Sequence, residues 1–393
     1  MLRREAVSRA REIMMEFAEG TGLSPAGQAP RRYLWTDAFA VCNFLELHRQ
    51  TGNKEYQQLA LQLGDQVHDV LGRHREDDKR SGWISGLSEE EGAIHPTAGG
   101  LRIGKGMKER TPREPYDERL EWDRDGQYYH YLTKWMHALN RVSRAVGNPT
   151  YNSWAMELAK KAHATFTYLP KRASVKRMYW KMSIDLSRPL VPSMGQHDPL
   201  DGLITYRQVQ ATSKRDSQSP GGLNLDSEIA DMAEMCEGMT WDTGDPLGIG
   251  GLLCDAHRAA QLSAAAGSEE SQLLVNLLES SLRGVGNFAR RGSSLMLAPD
   301  ERLAFRELGL SIGLRALQRL QRLVQGHPKL FGKEHSVHAK IKSLMRYQPL
   351  CEGIEKFWLD PASRDNETWK AHREINMVML ATSLAPDGFL TIS

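Results

Sequence analysis

A helical hairpin signature recurs along this chain, and it restricts the possible folds more than any other feature of the sequence. Residues 47–63 read LHRQTGNKEYQQLALQL, and residues 142–158 read VSRAVGNPTYNSWAMEL. A shift of 95 positions aligns six identities: Arg49 with Arg144, Gly52 with Gly147, Asn53 with Asn148, Tyr56 with Tyr151, Ala60 with Ala155, and Leu63 with Leu158. In each copy Gly-Asn can end one helix and start the next, whose Tyr, Ala and Leu follow at helical spacing. The pattern predicts repeated αα-hairpins, with a weaker third copy at 259–282 that turns at Gly267-Ser268.

The two helices of each hairpin differ in character. Residues 38–47, AFAVCNFLEL, and 247–254, LGIGGLLC, are apolar nearly all round, whereas 54–70 carries one apolar stripe with charges opposite. A helix that is apolar all round is buried on every side, and an amphipathic helix covers a core with one face. Buried first helices and amphipathic second helices predict two concentric rings, one inner and one outer.

This template accounts for most of the chain. It predicts inner and outer helix pairs at 34–51 with 54–73, 126–147 with 150–168, 198–214 with 225–238, 247–266 with 269–290, and 301–326 with 334–346, and a sixth inner helix at 369–385. The amphipathic N-terminal helix at 2–19 would be the sixth outer helix and close the ring. We therefore predict an all-α (α/α)6 toroid, a single domain over 1–393. Long loops on one face would include a lid-like segment at 74–124 and a short β-hairpin within 173–191.

The signature R-x-x-G-N-x-x-Y-x-x-x-A-x-x-L, with acidic and aromatic residues at the starts of inner helices, resembles the six-hairpin glycosidase-like (α/α)6 toroid superfamily. That group includes glucoamylase-like, unsaturated-glucuronyl-hydrolase-like and sugar-epimerase-like proteins. The resemblance covers most of the chain at the level of helix pattern, and no single member family is matched from end to end. It implies the toroid fold and carbohydrate chemistry.

Composition excludes several other classes of protein. Lys and Arg total 51 against 49 Asp and Glu, so no global field favours nucleic acid or an anionic membrane. The charged N-terminal segment lacks a secretory apolar run, and no long apolar stretch follows, so we predict a cytoplasmic protein. We predict neither a metal nor a cofactor. The four cysteines are widely spaced, the motifs HExxH and GxSxG are absent, and the glycine-rich run at 99–106 lacks P-loop spacing. The sequence leaves the oligomeric state open.

Acidic residues stand beside aromatic or histidine residues at five predicted starts of inner helices. These junctions are Trp35-Thr36-Asp37, Trp122-Asp123-Arg124-Asp125-Gly126, His197-Asp198-Pro199-Leu200-Asp201-Gly202, Trp241-Asp242-Thr243-Gly244-Asp245-Pro246 and Pro299-Asp300-Glu301. Aspartate is a preferred helix cap, and acids in the first turn complement the helix dipole. One acid is enough to cap a helix, and several of these junctions carry two. The starts of parallel inner helices would also lie together at one open end of the ring. The candidate catalytic residues are Asp125 and Asp201, followed by Asp245 and Asp37.

Aromatic faces pack against sugar C–H surfaces, and polar groups beside them bind hydroxyls. The candidate substrate-binding residues are Trp35, Trp83, Trp122, Tyr128, Tyr129, His130, His197, Trp241, Asp242 and Arg102. Tyr128 and Tyr129 also fit a buried core, so the sequence leaves their role open. The loop 81–121 either supplies cations to an anionic sugar or is a plain solvated connection.

Three functions fit this site, with a small molecule or an oligosaccharide as partner. Paired carboxylates suit a glycoside hydrolase, which needs two carboxyl groups about 5–10 Å apart with one kept protonated. Histidines near the mouth suit a sugar epimerase or isomerase, or a uronate lyase, each of which moves a proton at carbon. A non-catalytic sugar-binding or scaffold protein would retain the fold without turnover.

Overall fold

A computed structural model describes residues 3–26, 30–215, 223–267, 271–290, 296–331 and 335–392, and these are mostly helical. The helices are α1 (Arg3–Gly20), α2 (Leu34–Thr51), α3 (Lys54–Leu71), α4 (Glu89–Ile94), α5 (Glu118–Asp123), α6 (Tyr129–Val146), α7 (Pro149–Phe166), α8 (Asp198–Arg215), α9 (Asp226–Cys236), α10 (Pro246–Ala266), α11 (Ser271–Arg290), α12 (Ala304–Gly326), α13 (Pro328–Phe331), α14 (His335–Leu344), α15 (Gln348–Leu359), α16 (Pro361–Arg364), α17 (Glu367–Ala371), α18 (Arg373–Leu384) and α19 (Asp387–Leu390). The strands are β1 (Gln127–Tyr128), β2 (Thr167–Tyr168), β3 (Arg177–Met178), β4 (Lys181–Met182) and β5 (Pro189–Val191).

The predicted helices are present to within a few residues at most of their ends. The pairs are α2 with α3, α6 with α7, α8 with α9, α10 with α11 and α12 with α14, while α1 and α18 are the predicted terminal helices. The predicted starts at 2, 269 and 334 fall outside the described residues. Helix α15 was not predicted. No helix among the described residues combines the length and the apolar character needed to cross a membrane.

The hairpin turns form as the Gly-Asn signature predicts. Gly147 ends α6 with φ of 67°, in the left-handed region where glycine avoids the steric cost of a Cβ. The side chain of Asn148 then caps α7 by accepting a hydrogen bond from the Thr150 N–H at 3.0 Å. Asn53 caps α3 in the same way. In the third copy, Gly267 also ends its helix in a left-handed conformation, and Ser268 lies outside the described residues.

The chain divides into two compact units. One comprises Ala18–Leu45 and Asn53–Met239, and we call it the 53–239 unit. The other comprises Met1–Phe17, Glu46–Gly52 and Thr240–Ser393, and we call it the 240–393 unit. A single domain over 1–393, closed by the N-terminal helix, stays a prediction.

In the 53–239 unit the predicted long loops are built around short strands. Strand β4 pairs antiparallel with β5, which confirms the predicted hairpin within 173–191. Strand β1, directly before α6, pairs antiparallel with the other edge of β4 in the register Gln127↔Met182. A backbone hydrogen bond from the Ile103 N–H to the Gly126 carbonyl ties the 74–124 segment to this sheet. The start of α6 is therefore fixed against both long loops.

In the 240–393 unit, α10 and α12 cross with their backbones in contact. A Cβ added to Gly250 would lie 2.0 Å from the carbonyl oxygen of Gly309, and one added to Gly313 would lie 2.6 Å from the Cα of Gly250. Neither position has room for a side chain, because the obstructing atoms belong to backbone. The glycines therefore set the separation of these two buried helices.

We expect Gly250→Ala to destabilise the protein by about 1–3 kcal/mol, since overpacking must push the two backbones apart. Gly251→Ala is the matched control, because no atom lies within 4 Å of a Cβ added there. That variant should be about 0.5–1 kcal/mol more stable than wild type through helix propensity alone. Urea unfolding of both variants measures the difference, and a Gly250→Ala variant as stable as Gly251→Ala would contradict the close crossing.

Candidate active site

Two aspartates in the first turn of α8 face the start of α6 within the 53–239 unit. The carboxylate of Asp201 is buried, and Lys134 Nζ lies 2.7 Å from each of its oxygens. The Thr133 hydroxyl donates to the same carboxylate at 2.7 Å. Asp201 is therefore held as the anionic half of an ion pair with α6.

Asp198, one helical turn earlier, lies in a different environment. Its Oδ2 is buried and has no hydrogen-bond partner among the described residues. Burial, with the negative charge of Asp201 second, raises the pKa of Asp198 to about 7, while Lys134 and the Gly195 backbone act in the opposite direction. A carboxyl group with this pKa retains its proton at mildly acidic pH and can donate it.

His130, in the first turn of α6, lies next to this carboxyl group. Its Nδ1 is 3.8 Å from Asp198 Oδ1. Burial, with the charge of Lys134 second, lowers the pKa of His130 to about 4. Between about pH 4 and 7 the carboxyl group is protonated and the imidazole is neutral, the reverse of their order in water. Two groups whose pKa values are pushed in opposite directions are typical of acid and base assignments in active sites.

Aromatic rings form a continuous surface beside this pair, which we call the aromatic platform: Trp122, Trp180, Tyr128, Tyr131 and Tyr33. Tyr128 stacks on Trp180 with ring centroids 5.0 Å apart, and on His130 with centroids 5.6 Å apart. Trp122 is 51% exposed and lies 5.0 Å from Trp180. Stacked rings with an exposed edge provide the apolar faces against which sugar rings pack.

Asp125 lies at the centre of a hydrogen-bonded arrangement that we call the Asp125 clamp. The side chain is fully buried, and its Oδ2 accepts hydrogen bonds from Arg75 at 3.2 Å and Arg102 at 3.1 Å. Its Oδ1 accepts from the backbone N–H groups of Gly104 at 3.0 Å and Lys105 at 3.3 Å. Arg75 also donates to the carbonyls of Lys105 and Gly106. The clamp therefore fixes the loop that carries Lys105 over the platform.

Several predicted site residues meet in this region. Trp122, Tyr128 and His130 belong to or touch the platform, and Arg102 and Asp125 form the clamp. Trp35 lies 6.5 Å from the Tyr131 ring. Asp37 is buried and accepts hydrogen bonds from Arg32 and from the Tyr33 N–H. Burial raises its pKa to about 6, although the charge of Arg32 opposes this.

Three further candidates lie in the same unit. Trp83 is 3% exposed, with the Arg73 guanidinium 4.2 Å above its ring. Tyr129 is fully buried in the core, where its hydroxyl donates to Tyr206 at 2.8 Å. His197 is partly exposed, directly before Asp198.

The remaining candidates belong to the 240–393 unit. Trp241 is 2% exposed. Asp242 makes a two-pronged ion pair with Arg283, both distances being 2.8 Å. Asp245 caps α10 by accepting from the Leu247 N–H, and it pairs with Arg306 at 2.9 Å. These contacts agree with helix capping, the role that the sequence allows for Asp245 as an alternative to catalysis.

Four residues of this region were not among the candidate site residues: Asp198, Lys134, Lys105 and Trp180. Lys105 lies in the loop 81–121 that was expected to supply cations to an anionic sugar. Asp198 was recognised only as one of an acid pair, because nothing in the sequence separates it from Asp201. Its signal was the spacing of three residues, which puts both acids on one face of a helix. Within the described ranges, His, Cys, Asp and Glu side chains form no group of three or more that could hold a metal ion.

No family model matches this chain, and no curated protein is similar to it in sequence. Solved structures are similar in fold. The GH76A α-1,6-mannanase from Salegentibacter sp. HEL1_6 is 11% identical with a TM-score of 0.51, over 97% of this chain and 99% of that one. A GH76 α-mannanase from Bacteroides thetaiotaomicron is 8% identical with a TM-score of 0.51, over 97% and 96%. An inactive variant of the first enzyme, with two adjacent aspartates replaced, was solved with α-1,6-mannotetrose at a TM-score of 0.52.

These likenesses extend over nearly the whole of both chains, and at such low identity they establish the fold. They confirm the helix-hairpin architecture that the repeated Gly-Asn signature predicts. The chain therefore has an all-α (α/α)6 toroid fold, similar to that of these structures.

Proposed function

We propose that this protein is a carbohydrate-active enzyme, a glycoside hydrolase in which Asp198 is the general acid and Asp201 is the ionised carboxylate beside it. The observation that carries the proposal is the contrast between these two residues. Asp198 is buried with a pKa of about 7, and its Oδ2 has no hydrogen-bond partner among the described residues, whereas Asp201 is ion-paired with Lys134. Glycoside hydrolysis uses such a pair, one carboxyl group protonated and one charged.

In this mechanism Asp198 Oδ2 donates its proton to the glycosidic oxygen as the bond to the leaving group breaks. The positive charge that develops on the sugar ring is stabilised by the carboxylate of Asp201. Water then adds to the anomeric carbon as the Asp198 carboxylate takes up its proton, which restores both residues to their starting states. Residues three apart on a helix have Cβ atoms about 5–6 Å apart. That separation is close to the roughly 5 Å between carboxyl groups in retaining glycosidases. The aromatic platform would hold the sugar through its C–H faces.

The fold supports a hydrolase. The three similar structures described above, with TM-scores above 0.5, are of mannanases, and one of them is described as inactive after two adjacent aspartates were replaced. We propose substrate contacts for Trp122, Tyr128 and His130, and a positioning role for Asp125. The proposed substrate is an oligosaccharide or a small glycoside, used in the cytoplasm without a cofactor.

A sugar epimerase or isomerase is the second candidate, and His130 is the observation that favours it. Its neutral imidazole lies 3.8 Å from the Asp198 carboxyl group. A base and an acid in contact can remove a proton from one face of a carbon and deliver another. Such an enzyme would exchange solvent deuterium into the sugar, which a hydrolase does not do.

We expect kcat/KM on a panel of aryl glycosides to fall as pH rises through about 7, because Asp198 loses the proton that it must donate. Asp201→Asn should move this limb to lower pH, since the Asp201 charge raises the pKa of Asp198. Steady-state assays from pH 4 to 9 measure both effects. Deuterium exchange without glycoside cleavage would establish the epimerase instead. If neither activity is detected, the non-catalytic sugar-binding protein is the alternative that remains.

A further inference from the structure

Lys105, near the proposed site, has no carboxylate partner within the part of the chain that the structure describes. Lys105 is half-buried, and its Nζ lies 5.5 Å from the centre of the Tyr128 ring. Among the described residues this ammonium group makes neither a hydrogen bond nor an ion pair. Burial, with the charge of Lys181 second, lowers the pKa of Lys105 to about 8. A partly desolvated, unpaired ammonium is costly to the folded protein unless something else supplies an anion.

The position of this ammonium group is fixed. The backbone of Lys105 is held at its N–H by Asp125 and at its carbonyl by Arg75. Gly104, just before it, has φ of 96°, and a Cβ there would lie 2.2 Å from the Arg32 carbonyl oxygen. A loop packed so closely cannot easily turn its lysine to solvent. Lys105 therefore faces the platform because of how the loop is built.

A second polar group in the same place is also unsatisfied. Tyr128 is 1% exposed, and its hydroxyl has no hydrogen-bond partner among the described residues. Lys181, whose Nζ lies 5.2 Å from the same ring, does not fill this role for a ligand, because it is buried in an ion pair with Glu121 at 2.9 Å. An anion bound beside the Tyr128 ring would satisfy both Lys105 and the hydroxyl.

We propose that Lys105 and the Tyr128 hydroxyl bind the carboxylate of a uronic acid residue, so that the substrate is an acidic saccharide. This assignment rests on the proposed function, because that function supplies the premise that the site binds a saccharide. A carboxylate fits better than a phosphate, because phosphate groups are commonly bound by guanidinium forks. The nearby forks of Arg75 and Arg102 are already bound to Asp125. A single ammonium and a phenol match one carboxylate.

The test measures binding of glucuronic, galacturonic and mannuronic acid, each against its neutral parent hexose, by isothermal titration calorimetry. Wild type should bind at least one acid about tenfold more tightly than its parent, the range of one charge-assisted hydrogen bond. Lys105→Met should remove that preference. Lys171→Met, which removes the same charge from an exposed loop position, should retain it. In wild type the preference should fade above about pH 8, where Lys105 loses its proton.

Equal binding of acids and parent hexoses by wild type, or an undiminished preference in Lys105→Met, would overturn the assignment. Hexose 6-phosphates binding more tightly than every uronic acid would overturn the choice of carboxylate. The outcome is separate from that of the proposed function. Turnover of neutral aryl glycosides with no acid preference refutes only this inference, whereas a Lys105-dependent preference without any turnover refutes only the hydrolase.

Discussion

Asp198→Asn should abolish turnover and at the same time stabilise the folded protein at pH 8. The amide keeps the shape of the side chain but cannot donate the proton, so kcat should fall by about 10²–10⁴-fold. The native pKa of Asp198, about 7, lies above its ordinary value of 3.8. The wild-type protein therefore loses stability as pH rises from about 4 to 7, because the folded state must release a proton that it holds more tightly than the unfolded chain does. Removing the charge should restore about 2–4 kcal/mol at pH 8.

Urea unfolding at pH 4 and pH 8, together with the glycoside assay, measures this effect. The stability gain should be present at pH 8 and absent at pH 4, where the wild-type carboxyl group is already protonated. Asp201→Asn is the contrasting variant. It should destabilise the protein by about 2 kcal/mol or more, since it leaves the Lys134 ammonium without its partner. An Asp198→Asn variant that is active, or less stable than wild type at pH 8, would remove Asp198 from the mechanism.

Asp125→Asn should have the largest structural effect of any single change in the clamp. The fully buried carboxylate neutralises Arg75 and Arg102 and accepts two backbone hydrogen bonds. An amide leaves Arg102 without this counter-charge, leaves Arg75 with only its more exposed partner Asp77, and places an N–H group against other donors. We expect a loss of about 3–5 kcal/mol in the free energy of unfolding, as for other broken buried ion pairs.

Asp123→Asn is the matched control for this variant, because Asp123 is exposed two positions earlier in the same segment. Its effect on stability should stay within about 0.5 kcal/mol. Chemical denaturation of both variants decides the matter. If Asp125→Asn unfolds like Asp123→Asn yet loses all turnover, Asp125 acts in the chemistry itself, as its place among the sequence candidates suggests.

The helices could be predicted from sequence because their signals are local. The Gly-Asn dipeptide specifies both a left-handed helix end and the next helix cap, and both are decided within a few residues. Helix α15 was missed because it lies outside that repeat, in QPLCEGIEKFWL, where no Gly-Asn turn marks its start. Strand β1 was missed because a two-residue strand is defined by its partner rather than by its own pattern.

The roles of the acids could not be predicted, because they depend on neighbours distant in sequence. Asp201 differs from Asp198 through Lys134, which lies 67 positions earlier in the chain and reaches across from α6. The Asp125 carboxylate accepts a hydrogen bond from Arg75, which lies 50 positions earlier in the chain. The short segment that contains Trp122 and Asp125 therefore does not indicate the clamp. Trp180 joins the platform only because β4 pairs with β1. Each distinction arises from packing between elements.

The Asp125 clamp also bears on affinity. When a ligand has to order a loop, the loop loses conformational entropy and binding is weakened. The cost is about 1–2 kcal/mol for each backbone residue that becomes fixed. Here the backbone of Gly104, Lys105 and Gly106 is already held by Asp125 and Arg75. If the proposed complex forms, preorganisation of this kind lets Lys105 contribute most of its intrinsic attraction to the bound sugar.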